Sequence, residues 1–473
     1  MGISTGSVFV DRINELKTLE KEYQREDSSL VIIYGRRRTG KTSLINKFME
    51  KHGDCSLYYL ATQESDAENR KSFKNQLADF TSNELLKSAE ADWITLFRMF
   101  ATYDFKNKKR KILIIDEFQY IGKANSAFPS IVQKAWDTVM KDSDIMLILC
   151  GSLITLMKEQ TLDYSSPLYG RRTAQIRLGQ IPFKYYRDFF NNKSNDELIP
   201  FYAVTGGVPK YIESLRNSDN VFDGIRDNIL SRESYLYEEP YFLLQNEVSE
   251  IGSYFSLIKA IAMGNRKLSD ISAFMGVKQT SLTKYIKILT DLDLLEREVP
   301  ITEVNPEKSK MGLYKLKDNF IAFWFHFVYP YRSYLDRGEI SYTIQQIQKS
   351  FIQNYVSYIY EDICREKMWD LNAADTWAFR FNKIGKYWGK LCGETDIVAI
   401  DTIGKNMIIG ECKYSESEKG LQILHLLEEK GEILKKHTNS EHIYYIIFSN
   451  GGFTKGLLEE AERRNDILLQ YNL

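Results

Sequence analysis

The feature that most constrains this 473-residue chain is a strand–loop–helix segment near its N-terminus. The apolar run Leu30–Tyr34 predicts a buried β-strand, a glycine-rich loop runs from Gly35 to Thr42, and the next residues have the apolar spacing of a helix. The backbone N–H groups of such a G-x-x-x-x-G-K-T loop enclose phosphate oxygens, and the helix that follows points its positive end at the anion. Because the three parts occur in the required order, the segment predicts a nucleoside triphosphate site in an α/β domain with a parallel sheet.

The same motif assigns individual roles within the loop. Lys41 is expected to reach the β- and γ-phosphates, and Thr42 is expected to ligate Mg²⁺. ATP and Mg²⁺ are therefore the predicted cofactors. The residues predicted to surround the phosphates are Gly35, Arg36, Arg37, Arg38, Thr39, Gly40, Lys41, Thr42 and Ser43.

Two further apolar runs end in polar residues suited to the same site. The run KILIIDEFQY brings Asp116 and Glu117 to a strand end, and DIMLILCGS does the same for Ser152. Since parallel strands present their carboxyl ends at the ligand edge of a sheet, Asp116 is predicted to hold Mg²⁺ and Glu117 to orient the attacking water. Ser152 is predicted to sense the γ-phosphate or to cap the following helix, and the two roles are compatible. The basic run Lys106–Lys111 favours a solvated approach to the strand over a DNA-binding patch.

At this point the chain resembles the AAA+-like P-loop ATPase family found mainly in archaea and in many bacteria, a relative of the STAND-type ATPases. The resemblance covers residues 8–212, through FVDRINELKTLEKEY, the phosphate loop, CGSLITLM, PLYGRRTAQIRLGQIPFKYYRDFF and TGGVPKYI. It implies that Arg171 and Arg172 lie where an arginine finger or sensor acts. It also implies that the turn containing Gly207 and Pro209 approaches the nucleotide. For the two arginines, an ordinary surface pair on a loop is the alternative.

The pattern changes between Ser249 and Lys315 to three short amphipathic helices and a strand pair around Pro306. This order predicts a winged helix-turn-helix, whose third helix would present polar side chains to a DNA major groove. A packing module or an oligomerisation surface is the alternative, since the segment is only mildly basic. The side chains predicted to lie on the exposed face are Gln279, Thr280, Thr283, Lys284 and Lys287.

Charged residues interrupt two apolar runs near the C-terminus, in GETDIVAIDTIGKNMIIGECKY. Alternate residues of a strand share a face, and a hairpin folded about residues 403–404 places Asp396 opposite Glu411, with Lys413 one pleat away. Two carboxylates at that distance repel each other unless a cation lies between them, and hard oxygen ligands suit Mg²⁺ or Mn²⁺. With a lysine to position a water, this group of side chains fits metal-dependent phosphodiester hydrolysis.

The same segment resembles the PD-(D/E)XK nuclease superfamily. The resemblance implies that Asp396 is the first carboxylate, Glu411 the second and Lys413 the lysine, while Glu361 in FIQNYVSYIYEDICREKM takes the place of an additional acidic metal ligand. The proline of the superfamily's name is absent, because Thr395 precedes Asp396. A buried ion network in an inactive nuclease fold is the alternative.

Composition limits the classes of partner. With 63 Lys and Arg against 64 Asp and Glu the net charge is -1, so the whole chain carries no electrostatic signal for nucleic acid or membrane. Any DNA binding must therefore be local. Five scattered cysteines and the absence of a signal-peptide pattern predict a cytoplasmic location.

Together these patterns predict an α/β protein with four segments: a P-loop AAA+-like ATPase domain (1–200), a helical lid (201–248), a winged helix-turn-helix domain (249–330) and a restriction-endonuclease-like α/β domain (331–473). The expected function is ATP binding and hydrolysis that controls a Mg²⁺-dependent nuclease-like domain acting on DNA. One alternative is a non-cleaving ATP-dependent switch whose nuclease fold is a scaffold. Another is an oligomeric chaperone-like ATPase in which Arg171 or Arg172 acts across a subunit boundary.

Overall fold

The computed structural model describes residues 8–104, 110–190, 192–471 and 473, so Lys106 to Lys109 of the basic run lie outside the described residues. The chain forms two compact units. Among the described residues, the first unit contains those of 8–181, 208–210 and 243–249, and the second contains those of 182–207, 211–242 and 250–473. The four predicted segments are a finer division and remain a prediction.

The first unit is a parallel sheet flanked by helices. Its strands are β1 (Ser29–Tyr34), β2 (Ser56–Leu60), β3 (Lys111–Asp116), β4 (Ile145–Gly151) and β5 (Ala174–Arg177). Its helices are α1 (Ile13–Tyr23), α2 (Lys41–His52), α3 (Asp66–Thr81), α4 (Glu84–Ser88), α5 (Trp93–Thr102), α6 (Phe118–Ala124), α7 (Phe128–Ala135) and α8 (Ile154–Met157). Two π-helical turns, Trp136–Met140 and Lys158–Leu162, extend α7 and α8.

The strands of this sheet are all parallel, in the order β2-β3-β4-β1-β5. Every residue of β1 and β4 is buried, as expected for central strands covered on both faces. The predicted parallel α/β sheet is therefore confirmed. Because the strands run the same way, the carboxyl ends of β1, β3 and β4 lie along one edge, and those ends are followed by the phosphate loop, Glu117 and Ser152.

The second unit contains most of the remaining helices and two further sheets. Its strands are β6 (Leu295–Glu298), β7 (Leu313–Leu316), β8 (Lys383–Gly389), β9 (Gly393–Asp401), β10 (Asn406–Lys413), β11 (His442–Ser449) and β12 (Ile467–Tyr471). The helices after β5 are α9 (Asn195–Thr205), α10 (Pro209–Leu215), α11 (Val221–Ile225), α12 (Glu239–Glu247), α13 (Ile251–Ala262), α14 (Leu268–Met275), α15 (Gln279–Asp291), α16 (Asn319–Phe323), α17 (Arg332–Leu335), α18 (Ile340–Phe351), α19 (Ser357–Ala373), α20 (Leu421–Thr438) and α21 (Lys455–Arg463). Helices α10 and α12 contain residues of both units.

The larger sheet of the second unit is mixed, in the order β12-β11-β10-β9-β8. Strands β8, β9 and β10 pair antiparallel, whereas β10, β11 and β12 pair parallel. In the β9–β10 hairpin Asn406 pairs with Asp401 and Gly410 with Ile397. Continued by one residue, this register sets Glu411 against Asp396, which is the pairing expected from a turn at residues 403–404.

Helices α13 to α15 and the antiparallel pair β6–β7 occupy the middle of the chain, in the order predicted from the sequence. All five polar side chains predicted on the outer face of α15 are exposed. Their assignment to a winged helix-turn-helix stays a prediction. The most apolar segment, Phe320–Tyr331, is a largely buried helical stretch that begins in α16 and continues through a π-helical turn at Trp324–Val328. None of the helices in the described part of the chain combines the length and apolarity needed to span a bilayer.

The packing of β10 against β11 predicts a strong effect of a single methyl group at Gly410. A Cβ there would lie 2.5 Å from Ile446 Cγ2 and 2.8 Å from Ile446 O, so Gly410→Ala should lower the free energy of unfolding of this unit by about 1–3 kcal/mol. Denaturant unfolding followed by circular dichroism measures the change. Gly252→Ala is the matched control, because nothing lies within 4 Å of its added Cβ in α13. An equal response of the two variants would contradict the packing described.

Candidate functional site

The phosphate loop is held in shape by its own backbone and by Leu178, the residue that follows β5. A Cβ on Gly35 would lie 2.3 Å from Leu178 O, so only glycine allows the chain to pass there. Gly40 has φ 91°, a left-handed conformation that side-chain-bearing residues rarely adopt. The Lys41 ammonium donates to Gly35 O at 2.9 Å and to Arg36 O at 2.7 Å. Burial lowers the pKa of Lys41, and the carboxylates of Asp116 and Glu117 oppose that shift.

Arg12 hydrogen-bonds to the backbone of the phosphate loop, and it was not identified from the sequence. Its Nη2 donates to Gly179 O at 2.6 Å and to Thr39 O at 3.2 Å, while Thr39 Oγ1 donates to Arg36 O at 2.8 Å. Burial lowers the pKa of Arg12, and the Glu15 carboxylate opposes the shift. Arg12 lies in the segment FVDRINELKTLEKEY, which was the available signal for its importance.

Asp116 is the polar centre of the sheet edge. Its Oδ2 accepts hydrogen bonds from Thr42 Oγ1 at 3.3 Å and from Tyr58 OH at 2.7 Å, and its Oδ1 accepts from Glu117 N at 2.9 Å. Burial raises the pKa of Tyr58, and the adjacent Asp116 carboxylate raises it further. Thr42 and Asp116, predicted as magnesium ligands, are therefore brought together, and a hydroxyl with a carboxylate is a donor set that fits Mg²⁺. No sequence motif identified Tyr58 as part of the site.

Glu117 is held in an unusual conformation at the end of β3. Its φ of 54° lies in the left-handed region, where a non-glycine residue is uncommon. Ser152 Oγ donates to Glu117 Oε2 at 2.8 Å, and Gln119 Nε2 donates to the same oxygen. The predicted γ-phosphate sensor and the predicted water-orienting carboxylate are thus in direct contact.

The other residues predicted around the phosphates have varied positions. A Cβ on Gly40 would lie 3.9 Å from Pro209 Cγ, so Pro209 lies beside the loop, as expected. Arg36 is buried, and Arg37 Nη2 donates to Tyr120 OH at 2.5 Å. Arg38 adopts φ 69°, Ser43 is exposed on α2, and Gly207 belongs to the second unit.

Arg171 and Arg172 have different surroundings. Arg171 forms a bidentate ion pair with Asp137, in which Nε lies 2.9 Å from Oδ1 and Nη2 lies 2.8 Å from Oδ2. Its Nη1 also donates to Pro167 O at 2.9 Å. The hydrogen bond to Asp137 raises the pKa of Arg171. The guanidinium carbon of Arg172 lies 5.6 Å from the ring centroid of Tyr169. Arg171 is thus fixed by contacts within the first unit, and the finger role of both arginines stays a prediction.

In the second unit, the charged residues of β9 and β10 form a compact group. Asp396 Oδ2 accepts a hydrogen bond from Cys412 N at 2.9 Å, and the Lys413 ammonium donates to Glu411 Oε1 at 2.6 Å. The other oxygen, Glu411 Oε2, lies 3.6 Å from Lys430 Nζ. Burial lowers the pKa of Lys413, but the Glu411 carboxylate outweighs burial and the pKa is raised overall. Lys413 therefore stays a cation at neutral pH.

Glu361, predicted as an additional acidic ligand, forms an ion pair with Lys386 of β8. Burial raises the pKa of Glu361 to about 7, Lys386 opposes the shift, and the neighbouring Asp396 adds to it. Lys386 and Lys430 were not identified from the sequence. Among the described residues, no group of three or more His, Cys, Asp or Glu side chains has an arrangement suited to a metal ion.

A second ion network links the β6–β7 pair to α19. Lys315 pairs with Asp362, and its Nζ is 3.7 Å from carboxylate oxygens of both Glu296 and Glu298. Arg365 pairs with Asp362 and donates to Asp396 O at 3.5 Å. Burial by itself raises the pKa of Asp362, but Lys315 and Arg365 bring it down from 3.8 to about 2. The stabilisation from this carboxylate is complete above pH 3.8 and is lost as the pH falls through about 2.

Comparison with known families supports the assignment of the first unit. Residues 9–215 match a family described as an ATPase domain predominantly from Archaea. Residues 324–423 match a family described as archaeal and bacterial proteins of unknown function. The predicted P-loop ATPase domain is thus confirmed, and the C-terminal match assigns no activity.

Individual relatives agree with this result. The uncharacterized protein MJECL04 of Methanocaldococcus jannaschii is 34% identical over 409 residues, which cover 86% of this chain and 88% of the relative. An uncharacterized ATP-binding protein of the same organism is 51% identical over 43 residues, or 9% of this chain and 73% of the relative. Among solved structures, the Walker-type ATPase of Pyrococcus abyssi is 18% identical with a TM-score of 0.51, covering 67% of this chain and 96% of the other. At that identity the likeness shows the fold alone.

The ion network at Lys315 predicts that Lys315 and Lys317, two residues apart in sequence, contribute very differently to the free energy of unfolding. The Lys315 side chain is 19% exposed among three partly buried carboxylates, so Lys315→Met should lower the free energy of unfolding by about 2 kcal/mol, because the charge of Lys315 is lost while that of Arg365 remains to balance them in part. Lys317, 50% exposed and 3.0 Å from Asp293, provides the control, and Lys317→Met should cost less than about 1 kcal/mol. Chemical denaturation of both variants at pH 7 measures the difference, and equal losses would contradict the larger contribution assigned to Lys315.

Proposed function

Because this chain belongs to the same family as the Methanocaldococcus jannaschii protein MJECL04 and carries an ATPase domain of the predominantly archaeal type, we propose that it binds ATP with Mg²⁺ and hydrolyses it. The observation that carries the proposal is the contact of Thr42, Asp116, Glu117 and Ser152 through hydrogen bonds at the edge of the parallel sheet. These polar residues come from distant parts of the sequence and contact one another by hydrogen bonds and not by apolar packing.

Each residue has a part in the proposed reaction. The N–H groups of the phosphate loop and the Lys41 ammonium bind the β- and γ-phosphates, with Lys41 exchanging its two carbonyl partners for phosphate oxygens. Thr42 and Asp116 hold Mg²⁺, which when bound neutralises charge that develops on the transferring phosphoryl group. Glu117 orients the attacking water and accepts its proton, and Ser152 fixes the orientation of Glu117 through the 2.8 Å hydrogen bond.

A second candidate activity concerns the C-terminal sheet. We infer that Asp396, Glu411 and Lys413 act in Mg²⁺-dependent cleavage of a phosphodiester, with ATP binding in the first unit controlling access to DNA. The register that sets Asp396 against Glu411 and the 2.6 Å contact of Lys413 with Glu411 favour this activity. Helices α13 to α15 with the β6–β7 pair have the element order of a winged helix-turn-helix, and the exposed polar face of α15 is the proposed DNA contact.

The competing function is a switch that does not cleave. It is favoured by the lysines that already balance these carboxylates, since Lys413 and Lys430 flank Glu411 while Lys386 pairs with Glu361. A balanced ion network needs no metal to be stable. In an oligomer, Arg172 is the better candidate for a residue that acts on a neighbouring subunit, because Arg171 is committed to Asp137.

The proposed ATPase site makes separable predictions for binding and hydrolysis. Lys41→Ala should weaken ATP binding by roughly 30-fold or more, because a charge-assisted contact to phosphate is lost. Glu117→Gln should retain ATP binding but reduce turnover by roughly 10²- to 10⁴-fold, because general base function is lost. Equilibrium binding of a fluorescent ATP analogue and phosphate release report the two effects. Lys47→Ala, an exposed lysine of α2 paired with Glu50, should match the wild type in both assays.

The C-terminal proposal is tested by cleavage of plasmid and single-stranded DNA with Mg²⁺ or Mn²⁺, with and without ATP. Lys413→Ala should abolish cleavage, because the cation that positions water and polarises the site is removed. Lys436→Ala, an exposed lysine on α20, is the control and should cleave normally. If the wild type cuts neither DNA under any nucleotide condition, the non-cleaving switch replaces the nuclease.

A further inference from the structure

One carboxylate beside the phosphate loop has no part in the reaction proposed above. Glu247 is the last residue of α12, and the segment Leu243–Ser249 belongs to the first unit. Its Oε1 accepts a hydrogen bond from Ile154 N at 3.4 Å, two residues beyond Ser152. Within the described residues its other oxygen, Oε2, is buried and has no hydrogen-bond partner. A buried carboxylate oxygen without a hydrogen-bond donor, at the sheet edge that carries the proposed ATP site, calls for an explanation beyond packing.

The charges that face Glu247 are those of the phosphate loop. The guanidinium groups of Arg36 and Arg37 and the ammonium of Lys41 all interact electrostatically with this carboxylate. Burial raises the pKa of Glu247 to about 7, and the N–H groups of Ile154 and Thr155 and the two arginines oppose the shift. Burial therefore disfavours the ionised form of this carboxylate, which lies near cations that a nucleoside triphosphate would also bind.

We propose that Glu247 is a positioning residue that sets the preference of this site between ATP and ADP, by competing with the γ-phosphate for the cations of the phosphate loop. The inference rests on the proposed nucleotide binding and deepens it. A γ-phosphate adds negative charge next to Lys41, where a nearby carboxylate repels it, whereas ADP brings no charge to that place. A ligand shifts a conformational equilibrium only through differential interaction, and the γ-phosphate provides the difference.

This arrangement gives the bound nucleotide a route to the rest of the chain. ATP displaces the Glu247 carboxylate from Ile154 N, and ADP leaves the contact in place. Ser249 is followed directly by Glu250, where the second unit resumes, and α13 begins at the next residue. The Glu247 segment is therefore joined by a short stretch of backbone to the start of α13.

Glu247→Gln is the appropriate test, because the amide keeps the shape and the acceptor for Ile154 N but removes the charge. Calorimetric titration of the full chain with a non-hydrolysable ATP analogue and with ADP, each with Mg²⁺, gives the two affinities. The variant should bind the analogue about tenfold more tightly, the order expected for two unit charges roughly 12 Å apart at an effective dielectric constant of about 20, while ADP affinity changes less than about twofold. Glu159→Gln, an exposed carboxylate in the π-helical turn after α8, is the matched control and should leave both affinities unchanged.

Hydrogen exchange of the Ile154 amide in the wild type provides an independent measurement that needs no variant. The analogue should speed exchange at this amide, and ADP should not. An unchanged ratio of the two affinities in Glu247→Gln, or equal exchange with both nucleotides, overturns the inference and leaves the proposed ATP binding intact. Failure of the wild type to bind either nucleotide, with Lys41→Ala no different, instead removes the proposed function and the inference with it.

Discussion

The structure depends on one constraint: the Asp116 carboxyl group is only 3% exposed at the end of a buried strand, so its oxygens need hydrogen-bond donors from the protein. Burying such a polar group without hydrogen-bond partners is costly. Tyr58, Thr42 and the Glu117 amide supply those bonds from three different elements. The order β2-β3-β4-β1-β5 brings β2 beside β3, so Tyr58 reaches the carboxylate, while α2 delivers Thr42 after the loop from β1. Sheet topology and site chemistry are thus satisfied by the same contacts.

The C-terminal sheet meets the same demand differently. Its carboxylates are balanced mainly by lysines, with Lys413 and Lys430 at Glu411 and Lys386 at Glu361. At Asp116 the hydrogen-bond donors are two hydroxyls and a backbone amide. This contrast supports the proposed Mg²⁺ site at Asp116, whereas the lysines paired with Glu411 and Glu361 favour the non-cleaving switch.

The sequence predicted what depends on local pattern and missed what depends on tertiary contact. The apolar runs and the glycine loop identified β1, β3 and β4 with the residues at their ends, and the short turn at residues 402–405 allowed the β9–β10 register to be predicted. Arg12, Tyr58 and Glu247 were missed because each acts on residues far away in the chain. Glu247 follows Ile154 by 93 positions, a separation over which no periodicity or spacing rule applies. Such partners are chosen by the fold, and only the folded chain reveals them.

The charges of the β6–β7 pair bear on how DNA would be held. Lys315 of this pair is engaged with Glu296, Glu298 and Asp362 of α19, so this cation, which phosphate would attract, already has partners. Between the two strands, Ile301 N donates to Lys386 O at 3.0 Å, and the Ile301 side chain packs against the core of the C-terminal sheet. Freeing the pair for DNA would expose that apolar contact and leave partly buried carboxylates without Lys315, which would lower stability. The same network continues through Arg365 to the backbone of Asp396, so a ligand that draws Lys315 away changes the electrostatic balance at the candidate C-terminal site.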